Sequence, residues 1–382
     1  MGPASASHPG SAPDGSPNGA ATLLVGSCEP FSGKSAVVLG LARQLLQRGV
    51  AVRYGKPLAT SVEALEDAAS ALPLIDDDVA FVGRILGLAQ EALLPSVHLL
   101  RKQEAHQRLL AGQLEAGAGF EQLQAALACA SAGLTLLEAA GSMSEGLLYG
   151  LSLPQLARAL RAPVVLVHSW QDTCSADPLL QAREQLGGLL AGVVLNAVNP
   201  DGVNQLREEV EPALERLGIP VLGVMPRSPL LRSVTVEELA RRLDATVLCC
   251  RDRLDLLVET LSIGAMNVNS AMEFFRRRRN MAVVTGADRT DIQLAALEAS
   301  TQCLILTGAG DPLPQLISRA EELEVPLLKV EHDTLTTVEV IEATFGHVRL
   351  NETVKATYAF RLVEEHCNFE RLYTRLGLPV PV

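Results

Sequence analysis

Lysine is scarce in this chain: the 32 basic residues comprise five lysines and 27 arginines, and 44 acidic residues outnumber them. The formal net charge is −12 and the pI is about 5.2. Nucleic acids and anionic membrane surfaces both require clustered cations on a protein that binds them. The charge balance therefore predicts that neither nucleic acid nor a membrane is a partner.

Aromatic residues, long apolar runs and paired cysteines are also scarce or absent. Phe, Trp and Tyr supply only 3% of the residues, so the cores must be aliphatic. No apolar run reaches the roughly 20 residues that span a bilayer, and no signal peptide begins the chain. The seven cysteines show no C-x-x-C spacing, which predicts a reduced cytoplasmic protein rather than a disulfide or zinc scaffold.

Signature motifs of the common hydrolases are absent as well. The sequence has no Gly-x-Ser-x-Gly elbow, no His-Glu-x-x-His motif and no His/Cys group with metal-ligand spacing. Hydrolase and zinc-enzyme functions that depend on these motifs therefore have no support in the sequence.

Alternation of apolar strands and amphipathic helices is what the sequence does contain. Residues 1–20 are mostly Pro, Gly, Ser and Ala, which predicts a disordered tail. Strand-like ATLLVG, GLTLLEAAG, PVVLVHSW, LAGVVLNAVN and IPVLGVMP then alternate with helical segments, which predicts a doubly wound, mostly parallel α/β domain over 21–244. A second alternation predicts a smaller α/β domain over 245–350, and a helical segment follows over 351–382.

The stretch GSCEPFSGKS ends like a phosphate-binding loop, with Gly33, Lys34 and Ser35 between a predicted strand and a helix. The usual spacing would put the first glycine at position 28, which is Cys28, and the nearest glycine is Gly26. Loop amides and a helix N-terminus bind phosphate at this position. The position favours a nucleotide site over a chance Gly-Lys-Ser, with Lys34 on phosphate oxygens and Ser35 on Mg²⁺.

Other polar residues follow the predicted strands of the first domain. Lys56 and Glu138 each end a strand, and a carboxylate leaving a buried strand usually has a partner such as Mg²⁺ or a lysine. Asn196 is either a nucleotide-base contact or a turn residue. The run Asp76–Asp78 either starts a helix or supplies a second metal carboxylate, for which Asp78 is the candidate.

At this point the sequence resembles a known family. GSCEPFSGKSAVVLGLA, YGKPLA, LLEAAGSMSEG, APVVLV, GVVLNAV and PVLGVMPRSPLLRSVTVEELARRL resemble the dethiobiotin-synthetase-like (BioD-like) domain, as found at the N-terminus of long bacterial phosphotransacetylases. VVTGADRTDIQLAALEAS resembles the DRTGG domain that follows it in those enzymes. The resemblance covers nearly everything after the tail.

The resemblance implies a set of site residues in the first domain. BioD-like domains use a lengthened phosphate loop, and the loop of this chain is longer still, with six residues between Gly26 and Gly33. The implied nucleotide contacts are Gly26, Glu29, Ser32, Gly33, Lys34 and Ser35. In the same family, the residues matching Lys56, Glu138 and Asn196 contact substrate and phosphate, Mg²⁺ and the base, respectively. The implied cofactors are ATP, or another adenine nucleotide, and Mg²⁺.

The DRTGG resemblance concerns the second domain. Asp288, Arg289 and Thr290 match the start of the motif, whereas Asp291 and Ile292 replace its two glycines. DRTGG domains are similar to regulatory modules that accompany nucleotide-sensing domains, so these residues are expected to bind a nucleotide or another small-molecule effector. The motif does not fix which effector it is.

Three functions remain open from the sequence. The first is a nucleotide-binding regulatory protein, with a homodimer implied by the fold relatives and with a protein partner as a further expectation. The second is an ATP-dependent ligase or hydrolase in which Lys34 and Lys56 are catalytic. The third is a scaffold with a degenerate loop. Phosphotransacetylases carry their transfer site in a third domain that these 382 residues do not include, so we expect no acetyl transfer.

Overall fold

The computed structural model describes residues 21–62, 73–129, 133–265 and 267–378. The predicted tail over 1–20 lies outside the described residues. Among the residues that are described, no helix is both long enough and apolar enough to cross a membrane.

Seven parallel strands form the sheet of the first domain. The strands of the first domain are β1 Ala21–Gly26, β2 Val52–Gly55, β3 Leu58–Ala59, β4 Leu93–Leu94, β5 His98–Leu99, β6 Leu134–Glu138, β7 Val164–Ser169, β8 Leu190–Val198 and β9 Val221–Pro226. Two of them, β3 and β5, form a short separate pair, and the other seven form the sheet. The order across the sheet is β4-β2-β6-β1-β7-β8-β9. Every pair is parallel, which confirms the predicted fold class.

Helices cover both faces of this sheet. They are α1 Lys34–Gln47, α2 Asp77–Leu86, α3 Lys102–Ala111, α4 Ala118–Ala128, α5 Leu153–Leu160, α6 Ala176–Leu186, α7 Val203–Gln205, α8 Glu211–Arg216 and α9 Pro229–Arg232. Alternate residues of β1 enter opposite cores: Leu24 packs in one, and Leu23 and Val25 pack in the other. Burial on both faces explains why the strand sequences are continuously apolar.

The second domain has a five-stranded sheet of its own. Its elements are β10 Val234–Thr235, α10 Val236–Arg242, β11 Thr246–Cys249, β12 Leu257–Val258, β13 Thr260–Ile263, α11 Val268–Arg276, β14 Met281–Gly286, α12 Thr290–Leu297, β15 Thr301–Thr307, α13 Pro314–Glu322, β16 Leu327–Val330 and α14 Thr334–Thr344. The order is β11-β16-β15-β14-β13, with only β11 antiparallel. Val236 and Leu239 of α10 pack in the core of this domain. These residues precede position 244, after which the sequence predicted the domain boundary.

The last described helices return to the first domain. They are α15 Thr353–His366 and α16 Glu370–Arg375. Val363 of α15 shares a core with Val38 of α1, and the Tyr373 hydroxyl donates to Gln44 Oε1 at 3.0 Å. The predicted C-terminal helical segment therefore packs on α1, the helix that begins at Lys34.

Candidate functional site at the carboxyl edge of the first sheet

The loop between β1 and α1 turns sharply at Gly33. Gly33 has φ +94°, a left-handed conformation that favours glycine, and a Cβ there would overlap the side-chain nitrogen of Asn196. Asn196 Nδ2 donates to the carbonyl of Ser32 at 2.7 Å. Asn196 thus supports the loop from β8, and its predicted contact with a nucleotide base stays a prediction.

Gly26 is required by packing rather than by the loop. It is the last residue of β1, and a Cβ there would overlap the side chain of Leu153 at the start of α5. The structure thus gives Gly26 a close-approach role that is separate from the nucleotide contact implied by the family resemblance.

Lys34 is buried at the start of α1, with 8% of its surface exposed. Its ammonium donates to Ser27 Oγ at 2.9 Å and to the carbonyl of Gly141 at 3.1 Å. Burial lowers the pKa of Lys34 below its usual value, although the carboxylate of Glu138 opposes this. A charged Lys34 therefore costs free energy in this environment, and a bound anion would offset that cost.

Ser35 and Glu138 meet next to Lys34. Ser35 Oγ donates to Glu138 Oε1 at 3.3 Å, and the buried Tyr54 hydroxyl donates to Glu138 Oε2 at 2.7 Å. Burial raises the pKa of Glu138, while Lys56 and Lys34 act against that rise. A hydroxyl and a carboxylate at this spacing are oxygen ligands of the kind that Mg²⁺ prefers.

Lys56 is held by the aspartate run rather than by the loop. Its ammonium donates to Asp78 Oδ2 at 2.7 Å, to Thr60 Oγ1 at 2.7 Å and to Asp76 Oδ1 at 3.4 Å. Burial alone would lower the pKa of Lys56, but the charges of Asp78, Glu138 and Asp76 outweigh it and raise the pKa. The lysine implied to contact substrate is therefore fully paired within the chain.

The aspartate run resolves into distinct roles. Asp76 caps α2 by accepting from the amide of Asp78 at 2.9 Å, and its other oxygen accepts from the amide of Thr60 at 2.7 Å. Burial would raise the pKa of Asp78, but Lys56 and Arg349 hold it below its usual value. Asp78 is thus an ion-pair partner of Lys56 in the structure, and its predicted role as a metal ligand stays a prediction.

Arg349 reaches this cluster from the segment that joins the second domain to α15. Its Nη2 donates to Thr60 Oγ1 at 3.2 Å, and its Nη1 lies 3.9 Å from Asp78 Oδ1. Two residues earlier, the His347 ring packs edge-on against Phe31 of the loop, with ring centroids 5.2 Å apart. The segment that follows the second domain thus contacts both the loop and the Lys56 cluster.

Two further loop residues complete the site. Glu29 Oε1 accepts from the amide of Ser169 at 2.7 Å, and Oε2 lies 2.7 Å from His168 Nδ1. Burial would raise the pKa of Glu29, but these bonds outweigh it and lower the pKa. The Ser32 hydroxyl is buried and has no hydrogen-bond partner among the described residues, so it is available to a ligand in the loop.

The predicted residues of the second domain lie at a separate edge. Asp288 and Arg289 follow β14, and Thr290 begins α12. Arg289 Nε lies 3.7 Å from Asp291 Oδ1. Asp288 is exposed, and the effector contact expected of these residues stays a prediction.

Several residues of the first edge had no signal in the sequence. Ser27 and Gly141 hold Lys34, Tyr54 holds Glu138, and Arg349 joins from far along the chain. The sequence separation between Lys34 and Gly141 is 107 residues, so no local spacing could reveal the contact.

Comparisons with known proteins identify the families that the two domains match. Residues 21–235 match the AAA domain and residues 238–344 match the DRTGG domain. The chain is 24% identical over 383 residues to phosphate acetyltransferase of Synechocystis sp., covering 93% of this chain and 52% of that protein. It is 34% identical over 221 residues to ATP-dependent dethiobiotin synthetase BioD of Pseudomonas aeruginosa, covering 56% of this chain and 91% of that protein.

The extent of these matches differs between relatives. The chain spans about half the length of the phosphate acetyltransferases of Synechocystis sp. and Nitratidesulfovibrio vulgaris. A solved structure of the CBS and DRTGG domains of Clostridium perfringens pyrophosphatase, complexed with the activator diadenosine tetraphosphate, is 15% identical with a TM-score of 0.28. The match covers 39% of this chain and 73% of that one, and a TM-score this low supports no conclusion about this chain.

The family matches and the similarity to BioD show the family of this chain. The chain belongs to the BioD-like P-loop family through its AAA domain, and a DRTGG domain follows that domain.

Proposed function

We propose that this protein binds an adenine nucleotide with Mg²⁺ at the carboxyl edge of the first sheet and acts as a nucleotide-responsive regulator. The observation that carries the proposal is the convergence of Lys34, Ser35 and Glu138 at the N-terminus of α1. A buried lysine, a hydroxyl and a carboxylate at a helix N-terminus have the chemistry that a metal-bound phosphate requires.

The residues present fit such a ligand. The raised pKa of buried Glu138 and the unpartnered Ser32 hydroxyl are features that a cation and a phosphate would respectively satisfy. Lys34 and the loop amides would hold the phosphates, and Ser35 with Glu138 would hold Mg²⁺. Mg²⁺ would supply positive charge that neutralises the phosphate oxygens.

The relatives support the choice of nucleotide. BioD of Pseudomonas aeruginosa is described as ATP-dependent, and this chain matches 91% of its length. The longer loop of this chain keeps Gly33, Lys34 and Ser35 at the start of α1, where the family has its phosphate contacts.

Regulation would pass through the contacts made by residues 347–349. Arg349 and His347 join the exit of the second domain to the Lys56 cluster and to Phe31 of the loop. A ligand that moves the loop would therefore act on the segment attached to the DRTGG domain, and an effector bound there would act on the loop in return. Assembly as a homodimer remains part of the proposal.

A thermal-shift titration with ATP, ADP, AMP and GTP, each with and without Mg²⁺, tests the proposal. At 100 times its dissociation constant a nucleotide stabilises the folded state by about 2.7 kcal/mol. We expect a Mg²⁺-dependent shift that is strongly reduced in Lys34→Ala and persists in the matched variant Lys329→Ala of the second domain. The absence of a shift with every nucleotide would contradict the proposal.

A second candidate function is an ATP-dependent ligase of the BioD type. The observation that favours it is the burial of a second lysine, Lys56, at the same edge as Lys34. The pairing of Lys56 with Asp78 opposes it, because the lysine would have to leave that pair to reach a substrate. Phosphate release that depends on a small carboxylate or amine substrate and is lost in Lys56→Ala would favour this function over the first.

A further inference from the structure

Three side chains with different ligand atoms converge beside the loop. A sulfur of Cys28, a carboxylate oxygen of Glu29 and a ring nitrogen of His168 all lie within 4.8 Å of one another. Cys28 and Glu29 come from the loop after β1, and His168 comes from β7, the strand next to β1. Glu29 and His168 are 139 residues apart, which is why sequence spacing did not reveal the group.

The orientation of His168 is fixed by the backbone. Its Nε2 lies 2.8 Å from the carbonyl of Ser175, which can only accept, so Nε2 carries a proton. Its Nδ1 faces Glu29 Oε2 at 2.7 Å, which is again an acceptor. Nδ1 is thus the ring nitrogen that faces Glu29. A histidine whose far nitrogen donates to a backbone carbonyl is the arrangement found at protein metal sites.

We propose that Cys28, Glu29 and His168 form a binding site for a thiolate-binding divalent cation of the Zn²⁺ type. Zinc accepts sulfur, nitrogen and oxygen together, at about 2.3 Å from sulfur and about 2.0–2.2 Å from nitrogen and oxygen. The three ligand atoms lie within 4.8 Å of one another, and side-chain rotations would have to bring them to those distances from a common cation. Cys28 and Glu29 are only partly buried, which leaves a fourth position for water.

This site is distinct from the proposed Mg²⁺ position. Ser35 and Glu138 offer oxygen alone, the preference of Mg²⁺, whereas the group at Cys28 includes sulfur and nitrogen, which select softer metals. Burial raises the pKa of the Cys28 thiol to about 12, so a cation that binds the sulfur would have to displace the thiol proton.

Occupancy of the site would fasten the loop to β7. Cys28 and Glu29 both belong to the stretch between Gly26 and Gly33, and the loop leads directly into Lys34. The metal site does not use Lys34, Ser35 or Glu138, and its test reads out metal binding directly, so its failure is distinguishable from a failure of nucleotide binding.

Cobalt(II) is the probe for this site, because its bond to a thiolate gives a charge-transfer absorption that Zn²⁺ then removes by displacement. The full chain, stripped of metal, is titrated with Co²⁺ in excess Mg²⁺. We expect one equivalent of thiolate-bound cobalt in the wild type and at least a tenfold loss of affinity, with loss of the charge-transfer band, in Cys28→Ser. The same loss is expected in His168→Gln.

The matched control is Cys129→Ser, which removes an exposed cysteine away from the group. The control variant should retain the band and the one-to-one stoichiometry. Absence of the band in the wild type, its survival in Cys28→Ser, or its loss in Cys129→Ser would each overturn the proposal. Circular dichroism of each variant checks that a lost band does not reflect unfolding.

Discussion

The two domains place loops at the carboxyl ends of parallel strands, but they bury different side chains there. The first edge buries the charged groups of Lys34, Lys56, Asp76 and Glu138. Within the described part of the second domain, 236–265 and 267–344, the buried polar residues are all uncharged, and Gln293 is one of them.

Burial of charge is the physical difference between the two edges. A buried charge is costly unless a partner or ligand compensates it. At the first edge Lys56 has partners within the chain, whereas the lowered pKa of Lys34 and the raised pKa of Glu138 indicate incomplete compensation. The described acids of the second edge are exposed, so none of them requires a cation to compensate a buried carboxylate.

The largest effect is expected from breaking the ion pair of Lys56. Among the described residues, Asp78→Asn leaves the buried ammonium with Asp76 as its remaining ion-pair partner, and we expect a loss of about 3 kcal/mol in the free energy of unfolding. The matched variant of the second edge is Asp311→Asn, whose carboxylate pairs with Lys329 but is 95% exposed. Urea unfolding should show less than about 0.5 kcal/mol for that variant, and equal losses would contradict the comparison.

The same pair predicts a pH dependence. The folded-state pKa of Asp78 lies below its usual value, so the stability that it contributes is present above the usual aspartate pKa. That stability is lost as the pH falls through the folded-state pKa. Urea unfolding of the wild type across this acid range should lose more stability than that of Asp78→Asn, and parallel pH profiles would contradict the expectation.

A smaller loss is expected from the glycine of the loop. Gly33→Ala forces an alanine into a left-handed conformation and against Asn196, at a cost of about 2–3 kcal/mol. In the second domain, Gly308 has φ +81°, but nothing lies within 4 Å of a Cβ added there. Gly308→Ala should therefore lose only the backbone cost of about 1 kcal/mol. Thermal unfolding of the two variants measures the difference, and a larger loss in Gly308→Ala would contradict it.

The next effect concerns binding rather than stability. Glu138→Gln removes the carboxylate beside Ser35 while keeping an acceptor for the Tyr54 hydroxyl. We expect Mg²⁺-dependent nucleotide affinity to fall about tenfold, or about 1.4 kcal/mol, with the Mg²⁺-independent affinity unchanged. Calorimetry with and without Mg²⁺ separates the two, and an undiminished Mg²⁺ effect in the variant would exclude Glu138 as a ligand.

The smallest effect is expected from the contact between the domains. Arg349→Gln removes a partly exposed guanidinium, so the loss of stability should be under about 1 kcal/mol. The resistance of residues 345–352 to proteolysis should nevertheless fall, because this segment loses its link to Thr60. Arg319→Gln, which breaks an exposed ion pair with Glu298, is the control and should leave that resistance unchanged.

Sequence periodicity predicted the sheet of the first domain because its strands are buried on both faces and its helices are amphipathic. The Gly-Lys-Ser motif predicted that Lys34 and Ser35 would lie at the start of a helix after the first strand, because the motif is local in sequence. The sequence could not assign the aspartate run, because the roles of Asp76 and Asp78 depend on which amide and which ammonium approach them. Contacts across long separations, such as Arg349 with Thr60, leave no local pattern.

Calorimetric titration of Mg²⁺-ATP into the wild type, Lys34→Ala and Lys329→Ala tests the comparison most directly. Lys34 is buried at the first edge, and Lys329 is a partly exposed lysine bonded to the carbonyl of Gly310 and to Asp311 at the second. The account predicts equal affinity in the wild type and Lys329→Ala, and affinity weaker by about 10- to 100-fold in Lys34→Ala. Full affinity in Lys34→Ala, or loss of affinity in Lys329→Ala, would contradict it.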